Sequence, residues 1–294
     1  MERADEHDNP ERTKPTLYVV ATPIGNLRDV TLRALEIFKQ VDVIAAEDTR
    51  VTSKLLDRYA IAAKKLIAVH EHNEQRTAPR IIAELQAGRS VALASDAGTP
   101  AFSDPGARLV AAVREAGYAV VPIPGANAAA AALSASGLVG PHFLFYGFLP
   151  SKAAERRKAL EALAAFPYTL VFYEAPHRVL ESIGDLAAVL GARRIVMARE
   201  LTKIFESIHT CDLDEAATWL AADPDRVRGE FVLMIEGAQR NQDATKAEAK
   251  RTLQILLEEL PVKQAAALTA RITGGRKNEL YALALELKAV SGEP

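Results

Sequence analysis

From residue 16 onwards, short apolar runs typical of β-strands alternate with segments whose apolar residues recur at helical spacing. Between the first two runs, TLRALEIFKQ places Leu32, Leu35 and Phe38 on one face of a helix. Such alternation is typical of βαβ units, in which helices cover both faces of a largely parallel sheet. The pattern therefore predicts an α/β lobe over residues 16–139, with strands at 17–21, 41–46, 66–69, 91–95 and 119–123.

A second α/β series follows Gly140 and Pro141. It has the same alternation, and we interpret residues 140–238 as a second lobe of similar size. Its predicted strands lie at 143–146, 168–173, 195–198, 204–209 and 231–236, and its predicted helices at 155–166, 179–190 and 213–220. The alanine-rich stretch 126–138 is expected to be the last helix of the first lobe, where its small side chains would allow close packing.

Both ends of the chain differ from the lobes. Residues 1–15 are polar and charged, which predicts a disordered tail. Residues 239–250 (QRNQDATKAEAK) are interpreted as a linker. After it, residues 251–294 predict a small helical, helix-turn-helix-like domain, broken at Pro261 and at the Gly274-Gly275 pair. This domain is either a solvated amphipathic bundle or a nucleic-acid-binding appendage that uses Lys263, Arg271, Arg276 and Lys277.

Composition narrows the class of protein. Of the 294 residues, 49% are hydrophobic and 25% are charged, which fits a globular chain with a substantial core. Cys211 is the only cysteine, so an intrachain disulfide and a cysteine-rich zinc site are excluded. His70 and His72 lack a matching ligand cluster, so we expect no metal. No apolar run reaches the ~20 residues that span a bilayer, and we predict a cytoplasmic protein without a membrane segment.

Two strand ends in the first lobe carry polar or turn-forming residues. ATPIGNL, at 21–27, follows the first strand but lacks both G-x-G-x-x-G and a Walker lysine, which argues against a dinucleotide or P-loop site. AAEDTR, at 45–50, contains Glu47, Asp48 and Arg50. These charges fit either a solvated ion pair at a strand end or a carboxylate that orients a hydroxyl group or accepts its proton.

Three further loops are candidates for binding a ligand. SDAGTPAFSDPG, at 95–106, places two Asp, two Gly and two Pro between a strand and a helix, a composition suited to a polar small molecule. Gly125 allows close approach of the backbone, and Asn127 is either a helix cap or a ligand contact. FYEAPHR, at 172–178, places His177 at a predicted helix start, where a structural role is the competing interpretation.

Taken together and in this order, these loops resemble the tetrapyrrole-methylase superfamily, and within it the branch that methylates ribosomal RNA. The resemblance covers residues 16–290 and includes FLFYGFLP and GEFVLMIEG. It implies a two-lobed class III methyltransferase fold, a homodimer, and S-adenosylmethionine in the cleft between the lobes. The substrate that it implies is a cytidine 2′-hydroxyl of 16S ribosomal RNA in the small subunit, near the decoding centre.

One departure bears on the substrate. Where tetrapyrrole-modifying relatives carry Gly-Asp-Pro, this chain has SDAGTP at 95–100, which counts against a porphyrinoid. Methylation of a tetrapyrrole or cobalamin precursor, or of another translation component, is the alternative enzymatic function. A non-catalytic RNA-binding or ribosome-assembly factor that keeps the cofactor fold is the alternative of another class.

The resemblance also implies site residues. Those expected to hold the cofactor are Pro23, Asp96, Gly98, Thr99, Gly125, Asn127, Tyr173 and Ala198. Because a protonated ribose hydroxyl is a poor nucleophile, a carboxylate base would help by ~10²–10⁴-fold. Asp48 is the first candidate for that base, Glu47 the second and His177 the third, with Arg50 as an orienting group or phosphate clamp.

A slightly acidic chain, with net charge −2, must contact RNA through local basic patches. The densest patch comprises Lys152, Arg156, Arg157 and Lys158, directly after FLFYGFLP. A solvated helix face is the competing interpretation of these charges. Further candidate phosphate contacts are Arg28, Arg50, Lys54 and Arg58.

Overall fold

The structure is a computed structural model that describes residues 14–238 and 242–291. The chain divides into two compact units, Met1–Gly237 and Ala238–Pro294. Most of the predicted tail, residues 1–13, lies outside the described residues. The first unit contains both predicted α/β lobes, and the second unit contains the helices of the C-terminal region.

Five parallel strands form the first sheet: β1 (Thr16–Val20), β2 (Val43–Ala46), β3 (Leu66–Ala68), β4 (Val91–Ala94) and β5 (Ala119–Ile123). Their order is β3-β2-β4-β1-β5, and Val20 pairs in register with both Ala94 and Ile123. The parallel α/β lobe predicted from the alternating pattern is confirmed. Because all five strands run the same way, the loops that follow them meet at one edge of the sheet.

Helices cover both faces of this sheet, and each face is matched by a stripe of apolar side chains. On one face, Phe38 and Leu56 pack against Ile44, whereas Ile81 and Leu109 belong to the core on the other face. These side chains are fully or almost fully buried, which makes each face a stable hydrophobic layer. The helices are α1 (Leu32–Gln40) and α2 (Thr49–Arg58) on the first face, and α3 (Glu74–Gln86) and α4 (Ala107–Glu115) on the second.

The second sheet is mixed. Its strands are β6 (Phe143–Phe148), β7 (Thr169–Glu174), β8 (Arg194–Arg199), β9 (Ser207–Asp212) and β10 (Phe231–Ile235), in the order β6-β7-β10-β8-β9. Only the β6–β7 pair is parallel. The predicted strand at 204–209 begins three residues late, at Ser207, because Ile204 and Phe205 lie exposed in the preceding connection.

Helices pack on both faces of the second sheet as well. One face carries α6 (Ala153–Leu163), α7 (Val179–Leu190) and α8 (Leu213–Ala221). The other carries α5 (Ala128–Ser136). The expectation that this alanine-rich helix belongs to the first lobe is wrong in its packing. Ala129 and Ala132 lie in the core formed by Val171, Val196 and Met234, because small side chains let the helix approach this sheet closely.

The C-terminal unit contains α9 (Gln242–Glu259), α10 (Val262–Thr273) and α11 (Lys277–Ser291), as predicted for a small helical domain. Leu253, Ala265 and Ala284 form part of its core. The linker interpretation is wrong for residues 242–250, which form the first half of α9 because Ala, Glu and Lys are strong helix formers. Residues 239–241 lie outside the described part. No helix in the described ranges is long and apolar enough to cross a membrane.

Candidate functional site

A cavity of about 280 Å³ lies between the two sheets of the first unit. The first lobe contributes residues that follow β1, β4 and β5, and the second lobe contributes the ends of β6, β7 and β8 and the start of the antiparallel strand β10. This position agrees with the general rule that ligands bind outside the carboxyl ends of the strands of an α/β sheet. The residues that line the cavity include Gly98, Thr99, Phe102, Asp104, Asn127, Phe148, Tyr173, Ala198, Lys203 and Glu230.

The loop between β4 and α4 forms one wall. Gly98 exchanges two backbone hydrogen bonds with Thr22, of 2.8 and 3.0 Å, and this bridge ties the loop to the end of β1. At its far end, buried Glu74 accepts hydrogen bonds from the N–H groups of Gly106 and Leu109, at 3.1 and 2.8 Å. A carboxylate at the N-terminus of α4 satisfies two otherwise unpaired donors. Both ends of the loop are therefore fixed.

Aromatic side chains join this loop to the second lobe. Phe102 stacks on Phe145 with ring centres 4.2 Å apart, and Tyr173 meets Phe145 edge to face at 4.9 Å. Gly147 has φ +84°, and a Cβ there would lie 2.7 Å from Ser103 Oγ, so glycine permits β6 to touch the β4–α4 loop. The strand also has a register irregularity between Phe145 and Gly147. Such irregularities re-aim side chains near sites.

Five of the eight residues predicted to hold the cofactor line the cavity: Gly98, Thr99, Asn127, Tyr173 and Ala198. The other three are not among its lining residues. Pro23 is buried behind the β1 end. Gly125 packs against Ala21, since a Cβ at residue 125 would lie 2.9 Å from the Ala21 Cβ. Asp96 faces the loop after β2.

Asn127 and Tyr173 hold the start of α5. The Asn127 side chain accepts a hydrogen bond from the N–H of Ala130 at 3.0 Å, and the Tyr173 hydroxyl accepts one from the N–H of Ala129 at 3.2 Å. Thr99 donates its hydroxyl to the Ala126 carbonyl at 3.1 Å. The helix-cap interpretation of Asn127 is confirmed, and the same residue lines the cavity.

Asp48 and Arg50 form an ion pair rather than an open catalytic pair. Asp48 is the N-cap of α2, and its carboxylate contacts Arg50 Nη2 at 2.5 Å. Hydrogen bonds from the Arg50 side chain and backbone lower the pKa of Asp48 to about 2. A carboxylate with so low a pKa is a weak base. Neither residue lines the cavity, and the Arg50 side chain is 86% exposed.

Glu47 is better suited than Asp48 to accept a proton, although it is also absent from the cavity lining. Its Oε2 accepts a hydrogen bond from the Asp96 N–H at 3.2 Å. Burial raises the pKa of Glu47, and the charges of Asp96 and Asp48 add to the increase. Burial likewise raises the pKa of Asp96. Glu47 and Asp96 thus form a partly desolvated pair of carboxyls behind the cavity.

His177 lies exposed in the turn before α7, one residue beyond the cavity-lining Pro176. Its neighbours Glu174 and Arg178 have a structural function. Glu174 is 1% exposed and accepts from Arg178 Nη2 at 2.6 Å and from Ser182 Oγ at 2.5 Å. This network fixes the first turn of α7 against the end of β7, and it leaves His177 as the solvent-facing group of the FYEAPHR loop.

Sequence reasoning missed Asp104 and Lys203, both of which line the cavity. Burial raises the pKa of Asp104 to about 7, with a contribution from the charge of Glu47. Lys203 pairs with Glu200 at 2.8 Å and with Glu230 at 3.0 Å. The second Asp of SDAGTPAFSDPG was a visible signal for Asp104. LTKIFES gave no comparable signal, because the position of Lys203 depends on the packing of the β8–β9 connection.

The predicted basic patch is wrong at Arg156. That side chain is 2% exposed and pairs with Asp185 at 2.7 Å, since α6 turns it inward against α7. Arg157 also contacts Asp185, at 2.6 Å, but remains 59% exposed. Lys152 pairs with exposed Glu155 at 3.1 Å, and Lys158 is exposed. The outward-facing charges of the patch are therefore Lys152, Arg157 and Lys158.

Metal binding finds no support in the described ranges, where no group of three or more His, Cys, Asp or Glu residues could hold an ion. His70 and His72 meet edge to face with ring centres 6.1 Å apart. The single cysteine, Cys211, is a free thiol on β9.

Two family profiles match the sequence. The family described as Tetrapyrrole (Corrin/Porphyrin) Methylases matches residues 16–217, and the family described as RsmI C-terminal HTH domain matches residues 243–288. The second match coincides with helices α9 to α11 of the C-terminal unit. The first match lies within the first unit and the second within the C-terminal unit.

Curated relatives are similar along nearly the whole chain. A "Ribosomal RNA small subunit methyltransferase I" from Escherichia coli O157:H7 is 51% identical over 96% of this chain and 98% of its own length. The protein of that name from Pseudomonas aeruginosa is also 51% identical, over 94% of this chain and 99% of its own.

A more distant structure shares the fold. A uroporphyrin-III C-methyl transferase from Thermus thermophilus, solved in complex with S-adenyl homocysteine, is 18% identical with a TM-score of 0.53. The match covers 76% of this chain and 97% of that chain. At this identity the likeness shows the two-lobed fold alone.

Proposed function

The chain belongs to the tetrapyrrole methylase family, in the group of ribosomal RNA small subunit methyltransferase I proteins, and from this we propose that it methylates a cytidine 2′-hydroxyl in 16S ribosomal RNA with S-adenosylmethionine. The observation that carries the proposal is the 51% identity that extends through both units, including the helical unit. Together with SDAGTP in place of Gly-Asp-Pro, this relationship favours RNA over a tetrapyrrole substrate.

The cavity suits the cofactor in size and chemistry. Small-molecule sites occupy ~300–1,000 Å³ and combine apolar walls with a few polar groups, and this cavity of about 280 Å³ lies near the lower end. Phe102, Phe148 and Tyr173 offer apolar surface for a purine. Asn127 offers a polar amide, which matches the hydroxyl groups of an amino-acid and ribose ligand.

We assign the cofactor contacts to the lining residues Gly98, Thr99, Asn127, Tyr173 and Ala198. Pro23, Gly125 and Asp96 would then act from behind, by shaping the β1, β5 and β4 loops. When bound, S-adenosylmethionine supplies an activated methyl group on a sulfonium centre. The protein must orient a ribose hydroxyl in line at ~3–3.5 Å and exclude competing water.

RNA would approach across exposed basic side chains of the first unit. Arg50 projects from the start of α2, next to the carboxyls of the β2–α2 loop, and is suited to clamp a phosphate. Arg157 and Lys158 offer further exposed charge on α6. Each phosphate contact releases counterions, so the affinity for RNA should fall steeply with salt.

We also propose that the enzyme acts as a cytoplasmic homodimer. Val139 and Phe143 are 101% and 55% exposed at the start of the second lobe. Exposed large apolar side chains favour association. Light scattering of the purified protein at micromolar concentration should give twice the monomer mass, and a monomeric mass would contradict the homodimer.

Methyl transfer in vitro tests the function. Purified protein, labelled S-adenosylmethionine and small ribosomal subunits that lack the modification should yield 2′-O-methylcytidine in nuclease digests of the RNA. A porphyrinoid acceptor should yield no product. Transfer to the porphyrinoid alone, or cofactor binding by calorimetry without transfer to either acceptor, would contradict the proposal.

A further inference from the structure

We propose that the Asp104 carboxylate accepts the proton of the ribose 2′-hydroxyl during methyl transfer. The inference rests on the proposed function and adds a catalytic residue to it. Asp104 lies in the β4–α4 loop and lines the cavity together with Thr99 and Tyr173.

Backbone strain brings Asp104 to the cavity wall. Ala101 and Ser103 have φ +66° and +67°, in the left-handed region that side chains other than glycine rarely adopt. Between and after them, Phe102 and Asp104 both line the cavity. Such residues cost ~1–3 kcal/mol each and are retained where the surrounding structure fixes them, often at functional sites.

The surrounding structure does fix this segment. The Ala101 N–H donates to the Pro105 carbonyl at 3.2 Å, and the Phe102 N–H donates to Thr99 at 3.2 Å. Glu74 holds the following turn through Gly106, and Phe102 stacks on Phe145 of the second lobe. The strained loop is thus fastened from three sides, and its carboxylate occupies a defined place in the cavity wall.

The other acidic side chains of the cavity are already paired. Glu174 is held by Arg178 and Ser182, and Glu230 is held by Lys203. Among the described residues that line the cavity, Asp104 is the carboxylate that no ion pair neutralises. A negative group without a cationic partner is free to receive a proton.

Its surroundings tune it for that role. Burial raises the pKa of Asp104 to about 7, the nearby charges of Glu47 and Asp96 add to the increase, and a hydrogen bond from the Ser95 hydroxyl partly offsets it. From the second lobe, Tyr173 faces Asp104, and Lys203 lines the same cavity. A base is most effective when its pKa lies near the working pH. Asp48, at about 2, lacks that match.

The step balances without a further reactant. The hydroxyl oxygen forms a bond to the methyl carbon, the bond from that carbon to sulfur breaks with its electron pair kept by the sulfur, and the hydroxyl proton goes to Asp104. The protonated carboxyl then releases its proton to water when the product leaves. In the loaded site, the positive sulfonium favours the carboxylate and lowers its pKa below the value in the free protein.

The test compares wild type with Asp104→Asn in single-turnover methyl transfer to unmodified small subunits, across pH 5 to 9. We expect the wild-type rate to fall as pH decreases through a midpoint at or below about 7, because protonation removes the base. Asp104→Asn should lower the rate at pH 8 by ~10²-fold or more and should abolish this acid limb. Its affinity for S-adenosylmethionine, measured by calorimetry, should stay within about threefold of wild type.

Two further variants make the result specific. Glu47→Gln removes a negative neighbour, so the acid limb should move to lower pH, a shift that a merely structural effect would not produce. Asp214→Asn, on the exposed first turn of α8, controls for carboxylate-to-amide replacement and should match wild type. Without cofactor, Asp104→Asn should raise the urea midpoint at pH 8 more than at pH 5, since the wild-type protein must hold an ionised, partly buried carboxylate only at the higher pH.

The outcomes separate this inference from the proposed function. If Asp104→Asn keeps the wild-type decrease in rate towards acid pH, and its rate stays within tenfold of wild type, Asp104 is not the base. The methyltransferase function would remain intact in that case. A large loss of cofactor affinity with a normal saturated rate would make Asp104 a cofactor contact instead. If wild type transfers no methyl group to RNA, the proposed function fails, and the urea midpoints still report whether Asp104 is desolvated.

Discussion

The backbone N–H of Asp48 donates a hydrogen bond to Oδ1 of Asp96 over 2.9 Å, and this bond joins the loop after β2 to the loop after β4. In the reverse direction, the Asp96 N–H donates to Glu47. Two loops from neighbouring strands are therefore locked together through reciprocal bonds. Asp96 supports the cavity wall from behind rather than lining it.

Asp96→Ala should weaken S-adenosylmethionine binding by roughly 1–3 kcal/mol, because it leaves the Asp48 N–H unpaired and loosens the loop that carries Gly98 and Thr99. Asp96→Asn keeps an oxygen acceptor and should lose less than a third of that amount. Calorimetry with both variants measures the difference. Equal affinity of wild type and Asp96→Ala would remove Asp96 from the support of the site.

Asp48→Asn should lower single-turnover methyl transfer by less than about tenfold, because Arg50 already makes the carboxylate a weak base. Asn also remains a good helix N-cap, so α2 should persist. A decrease of ~10²-fold in the methyl-transfer rate, with normal cofactor affinity, would instead identify Asp48 as the base.

Arg50→Ala should weaken binding to small subunits and reduce the slope of log affinity against log salt by about one. The guanidinium is exposed, so the stability of the protein should change little. Filter binding over a range of salt concentrations gives the slope. An unchanged slope would mean that Arg50 only neutralises Asp48.

Arg156→Ala should lower the free energy of unfolding by about 3 kcal/mol, since it breaks a buried pair with Asp185 and removes a packed side chain. Arg157→Ala, at an exposed position beside the same carboxylate, should lose less than about 1 kcal/mol. Urea denaturation measures both, and only Arg157→Ala should flatten the salt dependence of RNA binding. If Arg156→Ala flattened the salt dependence and Arg157→Ala did not, Arg156 would instead be a phosphate contact.

Glu174→Ala should lower the free energy of unfolding by roughly 3–5 kcal/mol, because Arg178 and Ser182 lose a buried partner at the start of α7. Glu155→Ala removes an exposed pair with Lys152 and should lose less than about 1 kcal/mol. Similar losses for the two variants in urea would contradict a structural role for Glu174.

Patterns within single segments of the sequence predicted most of the helices and strands. The helix predicted at 179–190 is α7, and the strand predicted at 119–123 is β5, because both depend on periodicity that one element satisfies by itself. The break at Gly274 is equally local, since α10 ends there with a left-handed backbone. The start of α9 was missed because polar helix formers were interpreted as a linker.

Other features depend on contacts between elements that are distant in the sequence, and the sequence did not predict them. The sequence predicted a surface charge at Arg156, but the packing of α6 against α7 places this side chain beside Asp185, 29 residues further along the chain. The raised pKa of Asp104 results from burial and from the charge of Glu47, which lies in the loop after another strand. The helix α5 follows the first sheet in sequence yet packs on the second. Each of these depends on how separate elements meet, which no pattern within one segment encodes.

The proposed methylation is tested most directly by mass spectrometry of nucleosides and fragments from 16S ribosomal RNA. The RNA comes from a strain that lacks this gene, and from the same strain complemented with wild type or with Asp104→Asn. We expect one cytidine to lose its 2′-O-methyl group in the deletion strain, to regain it with wild type, and to stay largely unmethylated with Asp104→Asn. An unchanged 2′-O-methylcytidine content in the deletion strain would contradict methylation of 16S ribosomal RNA by this protein.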